Sequence, residues 1–409
     1  MLSRMRRPRM TLGSFRLLLG PLGIFVVAHF VHHLSTAIHV PLMPLIREDL
    51  NIDYTRAGAL MAAFSIPYGI AQLPTGVLAD RLGRRLLMSA GFIAMAGWAV
   101  AIGLSQTYWQ LLIFLVLLGI SGGTYHPTGP TLITQVVPRK DRGGAMGLHL
   151  AGGSACFFIA PIFAAQVGQA VGWRGAFLIA AVPTLLAGLF IWWFVRPGRG
   201  ESASPAAEPG EPAGRVGLWQ VLKLAGVFVA LGMLAQIVSS SMMSFLTLYM
   251  VDKHGLDTAL AAMLLSVVYG AGLLSAPFAG ALSDKLGRSP VIIGSCVLTP
   301  LFVLGLTWVS FGAVFILVLC LLGFSQTARP PVIESLLMDI VPARQRSSIL
   351  GIYFFLSMET SSVMTPATGW MMDHLGADYA FRLLSFVVLG ITLAVALLFI
   401  VRRRRPTPT

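Results

Sequence analysis

The residues able to do chemistry in this chain stand inside apolar runs. One run carries AHFVHHLSTAIHVPLMP from Ala28. At roughly 100° per helical residue, His29, His32, His33, Thr36 and His39 fall on one stripe about 120° wide. Imidazoles take up and release protons near neutral pH, so His29 and His33 are candidate proton carriers. His29 and His33, four residues apart, are also spaced to share a metal ion. No Glu stands beside them as in a zinc hydrolase motif, and no histidine falls within the spans expected for the second half, so no metal is expected. The stripe either lines a cavity or has its rings satisfied by neighbouring helices.

Two further runs carry GGTYHPTGP (Gly122–Pro130) and QTARPPVIE (Gln326–Glu334). A proline inside a membrane helix frees carbonyls and kinks it, commonly where a cavity is lined. Tyr125 and His126 stand beside one such proline, Arg329 and Glu334 beside another. A buried Arg is permanently charged and grips carboxylate or phosphate with two parallel donors. Its natural protein partners are Glu334 or Glu359, and a purely structural ion pair is the alternative to anion binding. Glu359, in SMETSSV, is the one acidic residue at the centre of any expected span. It is the first candidate for proton coupling. Gln236, Ser239, Ser240, Ser241 and Tyr269 offer hydrogen-bonding walls for the same pathway.

Polar groups at that depth are costly and mark pathways, so the elements holding them must be membrane helices. Composition agrees. The 409 residues are 56% hydrophobic and 11% charged, against roughly 25% charged in soluble domains, and mean hydropathy is +0.80. Many runs exceed the ~20 residues that cross a bilayer. Twelve spans are expected: 18–45, 56–79, 86–105, 108–136, 145–170, 174–196, 218–250, 257–281, 290–309, 311–337, 347–371 and 377–401. The expected fold is an all-α integral membrane protein of two six-helix halves. Cys156, Cys296 and Cys320 sit within these runs as small core residues. The formal charge of +13 reflects basic helix ends, not nucleic-acid binding.

The chain repeats itself. GVLADRLGRR at Gly76–Arg85 returns as GALSDKLGRS at Gly280–Ser289, an offset of 280 − 76 = 204. At the same offset Val137-Pro138 falls on Val341-Pro342, Arg142 on Arg346 and Gly147 on Gly351. The chain is a duplication, as many transporters are. Three domains are expected: a half at 1–196, a Pro/Gly/Glu-rich flexible linker at 197–217, and a half at 218–409.

The repeated motif resembles the signature loop between the second and third helices of the major facilitator superfamily, and between its eighth and ninth. The resemblance implies a transporter with a conformational latch at Gly76, Asp80, Arg81, Gly83 and Arg84, and at Gly280, Asp284, Lys285, Gly287 and Arg288. It implies that Asp80 faces the start of the eleventh helix and Asp284 the start of the fifth. Gly76 and Gly280 are read as points where a neighbouring helix approaches closely. Drug antiporters of the family carry an Arg four residues before a helix-four Gly, where this chain has Leu115 before Gly119. They also carry Gly-Pro in helix five, where it has Ala160-Pro161. Both departures count against that branch. AHFVHHL with YHP resembles the fosmidomycin-resistance group instead, which implies efflux of a small, anionic compound; with Glu359 and the histidines as proton carriers, the expected function is proton-coupled efflux.

Uptake of a metabolite is the alternative within the class. A non-transporting receptor and a histidine-based intramembrane metalloenzyme are alternatives outside it. No phosphate-binding loop of the GxxxxGK[ST] kind occurs, so this chain alone does not pump on ATP. The expected partners are a small-molecule substrate, protons and bacterial inner-membrane lipid. No cofactor and no nucleic acid are expected, and the working unit is a monomer.

Charge orients the spans. With Arg4, Arg6, Arg7, Arg9 and Arg16 at the start and Arg402–Arg405 at the end both inside, five basic residues lie outside: Arg47, Arg56, Arg174, Lys253 and Arg382. Arg329 lies within a span, and the other 29 − 6 = 23 lie inside, which satisfies the positive-inside rule. Cysteines introduced at Ser204 and at Asp53 should therefore label from opposite faces of the membrane; labelling of both from outside overturns the orientation.

Overall fold

The computed structural model of the chain describes residues 21–138, 141–195 and 218–404. The basic leader, the 197–217 linker and the side chains of Arg346 and Arg402–Arg405 lie outside the described residues. The chain is helical throughout the described part: α1 Pro21–Ala37, α2 Met43–Leu50, α3 Tyr54–Leu82, α4 Arg84–Leu104, α5 Tyr108–Gly122, α6 Tyr125–Val136 and α7 Arg142–Phe194, then α8 Leu218–His254, α9 Thr258–Leu286, α10 Arg288–Trp308, α11 Ala313–Ile340, α12 Ala343–Leu375 and α13 Ala377–Arg404. Eight stretches among the described residues are long and apolar enough to cross a membrane by themselves.

The repeat is written into the backbone. Positive φ occurs at Asn51, Gly83, Gly172, Gly255, Gly287 and Gly376. These pair as 255 − 51, 287 − 83 and 376 − 172, each 204. Glycine reaches this region without a Cβ penalty and Asn tolerates it better than most residues. Caps repeat too. Asp53 accepts the backbone N–H of Arg56 at 2.7 Å, and Asp257, 204 residues on, accepts that of Ala259 at 2.8 Å. Each carboxylate meets orphan donors at a positive helix end.

Three expectations change. The first span does not run unbroken to 45. It stops at Ala37, and residues 38–42 form a turn before α2, because Pro41 and Pro44 cannot continue the backbone hydrogen bonds. His39 therefore leaves the stripe, and its ring packs 5.0 Å from Phe64. The fourth span divides into α5 and α6, since Pro127 has no N–H to give the Gly123 carbonyl four residues back. Gly76 and Gly280 are not points of close approach: a Cβ on either would meet nothing within 4 Å. The glycines whose geometry the motif needs are Gly83 (φ 96°) and Gly287 (φ 90°), which reverse the chain between helices.

The described residues gather into two compact units. One draws on Met1–Ala37, Pro67–Ala160 and Arg174–Ser202, the other on Ile38–Ile66, Pro161–Trp173 and Ala203–Thr409. The first has an apolar centre of Leu22, Phe25, Phe92, Leu132 and Ile133. In the second, one end of the helices is tied by a polar belt. Arg47 and Tyr54 both reach the Asp252 carboxylate. Asp373 accepts from the backbone N–H groups of Tyr54 at 3.0 Å and Thr55 at 2.7 Å. Gly58 and Gly369 carry no Cβ where the backbones of Pro366 and Tyr54 pass.

Within the second unit α9 and α11 meet at Gly323, where a Cβ would strike the Val268 carbonyl oxygen. Gly323→Ala should destabilise the protein by about 1–3 kcal/mol through overpacking, read as a lower thermal midpoint of the purified protein. Gly97→Ala, which faces open space, is the control; equal midpoints for the two variants would mean the backbones are not in contact there.

Candidate functional site

Five of the chain's eight histidines converge in the first unit. His29, His32 and His33 come from α1, His126 from the start of α6 and His149 from α7. Four rings form a stack in the order His32, Tyr125, His29, His149. The centroid steps are 4.4, 5.1 and 4.2 Å and no interplanar angle exceeds 21°. His126 meets His29, His32 and Tyr125 edge-on, at 5.6, 5.5 and 5.5 Å. Gly153 of α7 leaves room for the stack, since a Cβ there would lie 2.6 Å from His29 Nε2.

Hydrogen bonds settle part of the tautomer question. His29 Nδ1 lies 2.8 Å from the His149 carbonyl oxygen. A carbonyl only accepts, so Nδ1 carries the proton and the neutral ring presents a bare lone pair at Nε2. His33 Nε2 lies 3.1 Å from that lone pair and donates to it. His32 Nε2 bonds the Tyr68 hydroxyl at 3.2 Å, while its Nδ1 is buried without a partner. Thr36 turns back to the His32 carbonyl at 2.9 Å. Ser35 and Thr184 join hydroxyls across α1 and α7.

The second unit holds Arg329, 1% exposed. It pairs with neither Glu334 nor Glu359: its Nη2 donates to Gln236 Oε1 at 2.6 Å, and its Nη1 has no partner. Glu334 is five residues on, roughly 140° around the helix. Gln236 occupies the repeat position of His32, and Arg329 that of Tyr125, since 236 − 32 and 329 − 125 are both 204. The stacked pair of one unit and the hydrogen-bonded pair of the other therefore use the same helix contact. Glu359 is half-buried on α12, with Oε1 shielded from solvent and unbonded. Tyr269 is half-buried on α9.

The two signature loops repeat one ion pair. Arg84 Nη2 donates to Asp80 Oδ1 and Arg288 Nη1 to Asp284 Oδ1, both at 2.6 Å. Arg288 also reaches Asp339 at 3.3 Å. Both loop aspartate side chains are 67% exposed, and Arg81 and Lys285 are exposed beside them. Sequence reasoning missed Tyr68, His149 and the Asp252–Asp373 belt. A lone His inside an apolar run was the available signal for His149; nothing in the sequence marks the others.

Repeated halves of membrane-length helices, with costly polar groups held inside them, define a secondary transporter fold. The chain belongs to the Major Facilitator Superfamily, whose model matches residues 25–275 and 229–409. The Multidrug resistance protein MdtG of Citrobacter koseri is 28% identical over 380 residues, covering 90% of this chain and 91% of that one. Its counterpart in Yersinia enterocolitica is 30% identical over 309 residues, 73% of each chain. Among solved structures, a bacterial homologue of the human lysosomal transporter Spinster, inward-facing and unoccupied, superposes with a TM-score of 0.78 at 19% identity. It covers 95% of this chain and 98% of that chain. A POT family transporter in complex with 5-aminolevulinic acid gives 0.73 at 16%, over 92% and 95%. At those identities the structures speak to fold alone. Membership makes the protein a multi-pass membrane transporter and sets the intramembrane enzyme aside. The departures at Leu115 and Ala160 counted against the multidrug branch, yet these curated relatives carry that name over most of the chain.

Tyr68→Phe should leave both ring nitrogens of His32 without a partner, at a cost of about 1–3 kcal/mol. Chemical or thermal unfolding of the purified variant reads this directly, and an unchanged midpoint would remove Tyr68 from the support of the cluster.

Proposed function

We propose that the protein exports small, anionic organic solutes across the bacterial inner membrane by alternating access, driven by protons. Arg329 carries the reading. A guanidinium is never neutral, and this one is buried mid-span against a neutral amide with one terminal nitrogen unbonded. A cation so placed, unmatched by a carboxylate among its described partners, favours an anionic ligand over a structural ion pair. The names of the MdtG relatives favour efflux over uptake.

The two six-helix halves, joined at 197–217 with both termini cytoplasmic, supply the moving parts, and the working unit is the monomer. On that orientation the Arg47–Tyr54–Asp252–Asp373 belt lies at the outer ends of the helices it ties. The signature-loop aspartates, here bonded within their own loops and open to solvent, are free to latch the inner face in the opposite state. Glu359 is the proton site: a carboxyl that no described group holds by Oε1, at a depth where ionisation is expensive.

Arg329→Lys keeps the charge but loses the fork, so a well-folded Lys variant should bind anionic substrate at least about tenfold more weakly; unchanged affinity removes the binding role. Glu359→Gln should abolish accumulation driven by a pH gradient while sparing substrate exchange. Continued accumulation against the gradient in that variant would place proton coupling elsewhere.

A further inference from the structure

We propose that His29, His33 and His126 form a binding site for a late first-row transition ion such as Zn²⁺, Co²⁺ or Ni²⁺. Two of the three lie one helical turn apart on α1, and the third comes from α6 across the stack. One ligand nitrogen from each can be chosen so that all three lie within 4.8 Å of one another. A tetrahedral ion with Zn–N bonds of about 2.0–2.1 Å holds its nitrogens roughly 3.4 Å apart. The His29–His33 pair already stands at 3.1 Å, so closing the site asks a spread of up to 4.8 Å to contract by about 1.4 Å.

The hydrogen bonding is that of a ligand set. Metal-bound histidine commonly donates its other ring N–H to a carbonyl or carboxylate, which fixes tautomer and ring direction. His29 does this through the His149 carbonyl, and its Nε2 lone pair, which accepts from His33, points into the group. For His33 to bind an ion through Nε2 its ring changes tautomer: the Nε2 proton that now bridges the two rings leaves to water and Nδ1 takes one up, so the ligand stays neutral. The His29 ring sits in the space left by Gly153. His33 and His126 are each half-buried. The surrounding rings are His32, His149, Tyr68, Tyr125 and Phe157.

The donor set selects the ion. Hard cations such as Mg²⁺ and Ca²⁺ need oxygen ligands, and these three residues offer nitrogen alone. Neutral imidazole suits Zn²⁺, Ni²⁺ and Cu²⁺. Three protein ligands leave a fourth position for water or for an anionic donor on a small molecule.

The test uses full-length protein purified through a tag without histidine and stripped with EDTA. Titration with ZnCl₂ should show one tight equivalent, and CoCl₂ should give the intense visible bands of a four-coordinate cobalt site. His126→Gln should weaken binding at least as much as the roughly 10–100-fold caused by loss of a ligand's hydrogen-bond partner. His126→Cys, which restores a soft ligand, should recover it. His254→Gln and His374→Gln, outside the group, should change nothing. No bound equivalent in the wild type overturns the proposal, as does unaltered affinity in a folded His126→Gln protein. None of these readings depends on transport, so the site and the efflux function stand or fall separately.

Discussion

Inside a bilayer a backbone amide has no water to turn to, so a spanning segment must satisfy its own hydrogen bonds. That constraint governs where this chain can bend. It bends where glycine or asparagine takes positive φ, at Asn51, Gly83 and Gly172 and again at Gly255, Gly287 and Gly376. It also loosens at proline, as in residues 38–42 and at Gly123–Thr124. Each break directs the helix after it. The turn after Ala37 keeps His29, His32 and His33 in one unit and sends His39 to another environment. The loosened turn before Tyr125 delivers Tyr125 and His126 to the face of α1.

The spans were legible because twenty-residue apolar runs have no other common reading, and the duplication was legible because motif and offset recur together. The helix 1 break was written in Pro41 and Pro44, but the apolar run through them hid it. The wheel argument held for His29, His32 and His33, whose helix persists, and failed for His39, whose helix does not. Periodicity reports a face, not the identity of the neighbour opposite. Hence the convergence of His126 and His149 on α1, and the choice of Gln236 over two acids as the Arg329 partner, needed coordinates. The glycines of the signature loop show the same limit: sequence marked all four alike, whereas only Gly83 and Gly287 use the freedom glycine gives.

The duplication makes the chemical difference between the units informative. One helix contact appears twice, as His32 stacked on Tyr125 at 4.4 Å and as Gln236 bonded to Arg329 at 2.6 Å. The backbone supports both, so the substitutions at that contact decide what each unit can hold. Around His32 the donors are imidazoles and phenols, which in their neutral forms offer lone pairs without charge. A cation can lose its water there in exchange for nitrogen. Around Arg329 the charge is fixed and positive at any physiological pH, which repels a cation and rewards an anion. The two units therefore differ in fixed charge at the same contact. The two units carry inequivalent pairs at equivalent positions, while the positive-φ bends at Asn51, Gly83 and Gly172 keep their counterparts at Gly255, Gly287 and Gly376.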